Sequence, residues 1–141
     1  MIKTQLAAVS VISKVMAGSS LTAVLQEVWR TEAQLSPQQK GAIQDISYGV
    51  LRFYGQLEAI VGCLLKKALD QQCVHYLLLV SLYQLNYTKA QSHTIVDQAV
   101  SASRALAQGR GMQGLVNAVL RNFIRQREHW LEKAAEQDTG R

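Results

Sequence analysis

Five arginines, Arg104, Arg110, Arg121, Arg125 and Arg127, fall between positions 104 and 127, in a stretch that holds no Asp or Glu. A cationic, acid-free segment is suited to phosphate, because a guanidinium meets two oxygens at once through its planar fork of N–H donors. Arg121 and Arg125 are four residues apart, one helical turn, and Arg110 lies in the Gly-flanked loop Gln108 to Gly111 just before that helix. All three can face one side. Lys3, Lys14 and Arg52 would enlarge the patch if packing joined their faces. The alternative is a solvated polar face with Glu128 and Glu132 as ion-pair partners. Tyr76, Tyr83 and Tyr87 line up on one segment and could stack on bases, although in so apolar a run a tyrosine stripe is more often core. Asn117 borders an apolar stripe, where a bond to a neighbouring helix's backbone is expected.

The remaining reactive side chains assemble no catalytic or metal site. His75, His93 and His129 are isolated, none with a second ligand at helical spacing. Cys63 and Cys73 fit no zinc or redox spacing, and two thiols are too few for a secreted disulfide framework. Their apolar settings suggest inert buried thiols in a reducing, cytoplasmic compartment. No Gly-rich loop joins a strand to a helix, so no nucleotide or other cofactor is expected in this chain.

These residues need a scaffold, and the composition supplies one. Of 141 residues, 48% are apolar and 18% charged, with one Pro, which excludes disorder and collagen-like chains. Only 6% are aromatic, so Leu, Val, Ile and Ala must fill the core. A net charge of +5 favours polyanionic partners. The longest apolar stretch, Leu77 to Leu85, includes Ser81 and Gln84 and is under half a membrane span, so no membrane partner is expected.

Helical periodicity runs along the whole chain and strand alternation is almost absent. A first helix is expected over Thr4 to Met16, ended by Gly18, and a second from a Ser20 cap, carrying Val24, Leu25 and Val28 and finishing before Leu35. Ser36, Pro37 and Gln39 form a capping box with Pro at the first helical position. The helix they start has Ile43, Ile46, Val50, Phe53, Tyr54 and Leu57 on one face, with a bend expected at Gly55. Arg52 projects on the opposite side, exposed and near Asp45. Val74 to Tyr87 is apolar all round, as a central helix should be. Ser92 is expected to cap a helix reaching Leu106, and Met112, Leu115, Val116, Val119, Leu120, Phe123 and Ile124 define the last amphipathic helix. Residues 1–135 read as one domain, and 136–141 as a frayed tail or the start of a linker.

Three segments carry a resemblance to a known family: Ser47-Tyr48-Gly49-Val50-Leu51-Arg52 with Leu57, then Leu82 to Lys89 with His93, then Gly114-Leu115-Val116-Asn117-Ala118-Val119-Leu120-Arg121. In this order and spacing they resemble a NusB-like domain, and more closely the N-terminal domain of the RsmB/Sun/Fmu family of small-subunit ribosomal RNA 5-methylcytosine methyltransferases. The resemblance covers almost the whole chain to Arg127. It implies an all-α, NusB-like orthogonal bundle of about seven helices that recognises RNA beside a catalytic domain. Where members typically have Pro before the histidine and Asn-Glu-Ala after it, this chain has Gln91-Ser92-His93 and Asp97-Gln98-Ala99.

The resemblance implies that S-adenosylmethionine and the catalytic cysteine belong to a methyltransferase domain in cis that these residues do not include. Neither Cys63 nor Cys73 matches that cysteine, so this chain alone is not expected to be an enzyme. Its expected role is that of an RNA-binding accessory domain with ribosomal RNA as partner. Arg52, Lys89, Arg110, Arg121 and Arg125 are the expected RNA contacts. The alternatives are an interdomain scaffold, in which Arg52 and Asn117 orient the two domains, and a stand-alone NusB-type antitermination factor. Such factors usually open with an arginine-rich arm, whereas this N-terminus offers Lys3 and Lys14.

Overall fold

A computed structural model describes residues 2–106 and 110–139. They form α1 (Ile2–Met16), α2 (Leu21–Thr31), α3 (Pro37–Arg52), α4 (Tyr54–Leu64), α5 (Gln72–Tyr87), α6 (Ser92–Ala105), α7 (Gln113–Arg125) and α8 (Arg127–Thr139). Among the described residues the protein is all-helical, with eight helices rather than about seven. α7 ends at Gln126 (φ −131°, ψ 43°), just past the last amphipathic stretch, and α8 follows it. The Trp130 indole closes that corner by donating to the Asn122 carbonyl at 3.2 Å, which also accepts from the Gln126 N–H. α8 runs from Arg127 to Thr139.

Side-chain caps start α2 and α3, whereas α4, α5, α6 and α7 begin without one. Ser20 Oγ accepts from the Ala23 N–H at 3.2 Å. At α3 the Gln39 N–H donates to Ser36 Oγ at 3.1 Å while the Ser36 N–H donates to Gln39 Oε1 at 2.9 Å, a reciprocal box that satisfies two donors. Two boundaries differ from expectation. Ser92 is not a cap: Gln91 holds the extended cap conformation (φ −68°, ψ 135°), and Ser92 is already the first helical residue. The bend after α3 falls at Phe53 (φ −104°, ψ 23°), not at Gly55, which lies in the first turn of α4. The chain turns where the Phe53 ring is held against α5 by stacking, rather than where its backbone is freest.

α5 is the central helix, packed by α1, α3, α4, α6 and α7. Its Leu77, Leu78, Leu79, Val80 and Leu82 are fully buried, each such side chain contributing about 1.5–3 kcal/mol. Gln5 of α1 donates to Gln84 of α5 at 2.8 Å, pairing two amides inside the bundle. α4 packs on α8, where Ala134 is buried in the same core. A second, smaller cluster of Val11, Val24, Leu25, Val28, Leu35 and Ile43 joins α1, α2 and α3. α1 serves both, giving Ala8, Val9 and Ile12 to the large core and Val11 to the small one.

Candidate nucleic-acid interface

α7 buries Val116, Val119, Leu120 and Phe123, which fixes the opposite side of the helix toward solvent. Arg121 and Arg125 stand there, both exposed and one turn apart. Arg121 Nε donates to Asn117 Oδ1 at 2.8 Å and Arg125 Nη2 to Asn122 Oδ1 at 3.5 Å. Asn117 therefore bonds an arginine on its own helix, not a neighbouring backbone. Neutral amide partners orient a guanidinium without cancelling its charge. Among the described residues neither Glu128 nor Glu132 comes within ion-pair distance of Arg121 or Arg125, and the carboxylate pairs of Arg30 with Glu27 and of His75 with Glu58 lie elsewhere. Arg104 and Arg110 are exposed too, Arg110 beside Gly111, whose φ of +82° turns the chain into α7. Of the loop before it, Gln108 and Gly109 lie outside the described residues. Arg127 lies over the Phe123 ring at 5.5 Å.

A second group sits where α3 ends against the end of α5. Arg52 is exposed, as the helical wheel indicates, and its guanidinium lies 5.5 Å from the centroid of the Phe53 ring. Phe53 stacks on Tyr87 with centroids 4.2 Å apart and planes 9° from parallel, and Tyr87 in turn stacks on Tyr83 at 5.5 Å. The Tyr87 hydroxyl donates to Gln56 Oε1. Tyr83 is buried and its hydroxyl donates to the Asp45 carboxylate at 3.3 Å. Burial, then the Asp45 charge, raise the Tyr83 pKa above the ordinary phenol value, while Arg52 pulls it the other way. Lys89 is exposed just beyond α5.

The tyrosine stripe is thus divided: Tyr76 and Tyr83 belong to the core, and Tyr87 is exposed. By the elements they lie on or next to, the five expected RNA contacts form two groups, Arg52 with Lys89 at the ends of α3 and α5, and Arg110 with Arg121 and Arg125 at and before α7. α5 packs against both α3 and α7. Lys3 and Lys14 belong to neither group, and line a cleft of α1 with Ser10, Thr31 and Glu32.

One arrangement is invisible in the linear spacing. His75, which looks isolated, pairs through Nε2 with Glu58 Oε1, across α5 and α4 and 17 residues away. The pair lines a cleft of about 580 Å³ with Tyr54, Tyr76, Lys66 and Gln72. The Tyr54 hydroxyl there is pushed up to about 12, by burial first and then by the Glu58 charge. A phenol held neutral in this way is a hydrogen-bond donor rather than a nucleophile. Cys63 and Cys73 are free and half-buried, more accessible than their apolar sequence setting suggests. Among the described residues no three His, Cys, Asp or Glu side chains are grouped to hold a metal ion, and no helix is long and apolar enough to cross a membrane.

Fold and surface together define a small all-helical domain with exposed, unneutralised arginines along one helix. The chain belongs to the NusB family, whose family model matches residues 2–125. It is similar to the ribosomal RNA small subunit methyltransferase B of Serratia proteamaculans, 35% identical over 136 residues, covering 95% of this chain and 31% of that protein. The protein of the same name from Vibrio vulnificus is 36% identical over 126 residues (88% and 29%), and that from Pasteurella multocida 38% over 136 residues (94% and 30%). The chain spans about 30% of the length of the curated relatives it matches.

Proposed function

We propose that the chain is an RNA-binding accessory domain of a small-subunit ribosomal RNA 5-methylcytosine methyltransferase. It docks ribosomal RNA through phosphate contacts and holds the target region near a catalytic domain in cis. That domain would supply S-adenosylmethionine and the chemistry; this chain supplies affinity and position. The observation that carries the reading is the pair Arg121 and Arg125, exposed on an acid-free helix and oriented by amides rather than by carboxylates. The relatives' names support the methyltransferase branch over antitermination. The proposed setting is the cytoplasm, where ribosomal RNA is found.

The test is the affinity of the chain for a small-subunit ribosomal RNA fragment, against an unrelated RNA of equal length, as salt is varied. Arg121→Gln with Arg125→Gln should weaken binding and flatten the slope of log affinity on log salt by about 0.7 for each single-strand phosphate that the two arginines neutralise. An unchanged affinity and slope would remove these residues from the interface. A second reading, an interdomain scaffold, is favoured by an apolar groove of about 420 Å³ between the segment after α4 and α7, lined by Leu64, Leu69, Leu115 and Val119. In that reading the isolated chain would bind neither RNA selectively.

A further inference from the structure

We propose that Arg52, Tyr48 and the Phe53–Tyr87 stack form a platform for an unpaired nucleobase of single-stranded RNA. The inference rests on the RNA-binding reading and names the part of the RNA that this surface takes. Tyr48 and Tyr87 are two of the three large apolar side chains that the described surface leaves exposed, at 49% and 38%. They are not scattered. Tyr48 and Arg52 are one turn apart on α3 and so share a face, and Arg52 covers the ring that stacks on Tyr87.

The geometry is that of a column: the Arg52 guanidinium over Phe53, Phe53 parallel to Tyr87, and Tyr87 against Tyr83. Its inner end is fixed, because Asp45 accepts from the Tyr83 hydroxyl and Gln56 from that of Tyr87. Its solvent side carries the exposed Arg52 guanidinium, 5.5 Å from the Phe53 centroid. A base laid on a guanidinium or an aromatic ring gains stacking whatever its sequence, and the ordered rings lose little entropy on binding. Arg52 and Lys89 supply charge for the phosphates on either side of a stacked base, whereas a protein partner would need a matching acidic face. A duplex keeps its bases stacked on one another, so the platform selects single strands.

Binding would be followed by fluorescence anisotropy with a labelled oligouridylate of about ten nucleotides, an abasic ribose-phosphate strand of equal length, and a duplex. Wild type should prefer the oligouridylate. Tyr48→Ala and Arg52→Lys, the latter keeping the charge but losing the plane, should each cost about tenfold on the oligouridylate and little on the abasic strand. Lys89→Gln should weaken both strands alike. Circular dichroism checks that the variants fold. Equal losses on both strands for Tyr48→Ala and Arg52→Lys would reduce Arg52 to a phosphate contact and overturn the platform. Wild-type affinity in both variants would overturn it as well, leaving this surface to a protein. In either case RNA binding sensitive to Arg121 and Arg125 leaves the broader reading intact. A wild type that binds no strand overturns the platform, while its affinity for the ribosomal RNA fragment decides the broader reading separately.

Discussion

Gly49 and Gly41 lie two turns apart in α3, and the same substitution should act on them with opposite sign. At Gly41 a new Cβ meets nothing within 4 Å. The site is exposed mid-helix, so Gly41→Ala should stabilise by about 0.5–1 kcal/mol through backbone entropy alone. At Gly49 a Cβ would intrude well inside the van der Waals shell of Tyr83 Cε1 and Cζ and come within 2.5 Å of its hydroxyl oxygen. Ordinary carbon contacts are about 3.5–4.0 Å, so the ring tip must retreat by about 1 Å or more. Tyr83 has nowhere easy to go, being 6% exposed and stacked on Tyr87.

Overpacking costs about 1–3 kcal/mol. Weakening the Tyr83–Asp45 bond and the Tyr83–Tyr87 stack adds about 1–2 kcal/mol, and the propensity gain of alanine returns about 1 kcal/mol. The net loss is about 1–4 kcal/mol, and its midpoint corresponds to a fall in Tm of about 8 °C for a chain of this size. Thermal and urea unfolding followed by circular dichroism reads both variants. In a Tyr83→Ala background the obstruction is gone, and Gly49→Ala should become neutral or stabilising. A Gly49→Ala protein as stable as wild type would refute the close approach of α3 to α5 as the reason for glycine there.

Ser36→Ala removes one half of the α3 capping box and should cost about 1 kcal/mol, read as a lower urea midpoint with an unchanged m value. Tyr54 gives stability a pH dependence on the alkaline side. Below its ordinary value of 10.0 both folded and unfolded chains keep the proton. Between there and about 12 the unfolded chain releases it while the folded chain holds it. Stability contributed by Tyr54 is therefore complete below that window and is lost as pH rises through it. Tyr54→Phe should flatten the fall in urea midpoint across the same range, and an unaltered profile would place the alkaline sensitivity elsewhere.

The sequence was most legible where structure is local. The Ser36 capping box, the all-round apolar α5 and the exposure of Arg52 each depend on residues within a turn or two, and each is as expected. Boundaries set by distant partners were not legible. Phe53 reads as one more member of an apolar face, and only α5, 34 residues on, turns it into a helix break. The period through Phe123 and Ile124 gives no sign of the corner at Gln126, which depends on Trp130 reaching back to α7.

The same division holds for the surface. Arg121 and Arg125 follow from their spacing, but the stack of Phe53, Tyr87 and Tyr83 joins rings from two helices, and the pairing of His75 with Glu58 crosses two more. The glycine of the Ser47–Arg52 segment was a sequence signal for that stack. A small residue facing a helix crossing marks where an aromatic from the partner enters, and Tyr83 is the residue that enters.

α1 has one side in each hydrophobic cluster, and that gives the molecule an order of coming apart. α2 roofs only the small cluster, so it can lift and expose Val24, Leu25 and Val28 while Ala8, Val9 and Ile12 keep the larger core sealed. The reverse does not hold, since detaching α1 from α5 also strips Val11 from beneath α2. Fluctuations that begin at the edge can stop at the shared wall, whereas those that begin at the centre cannot. The large core beneath α3 and α5, which backs the aromatic column, is thereby shielded from the lifting of α2.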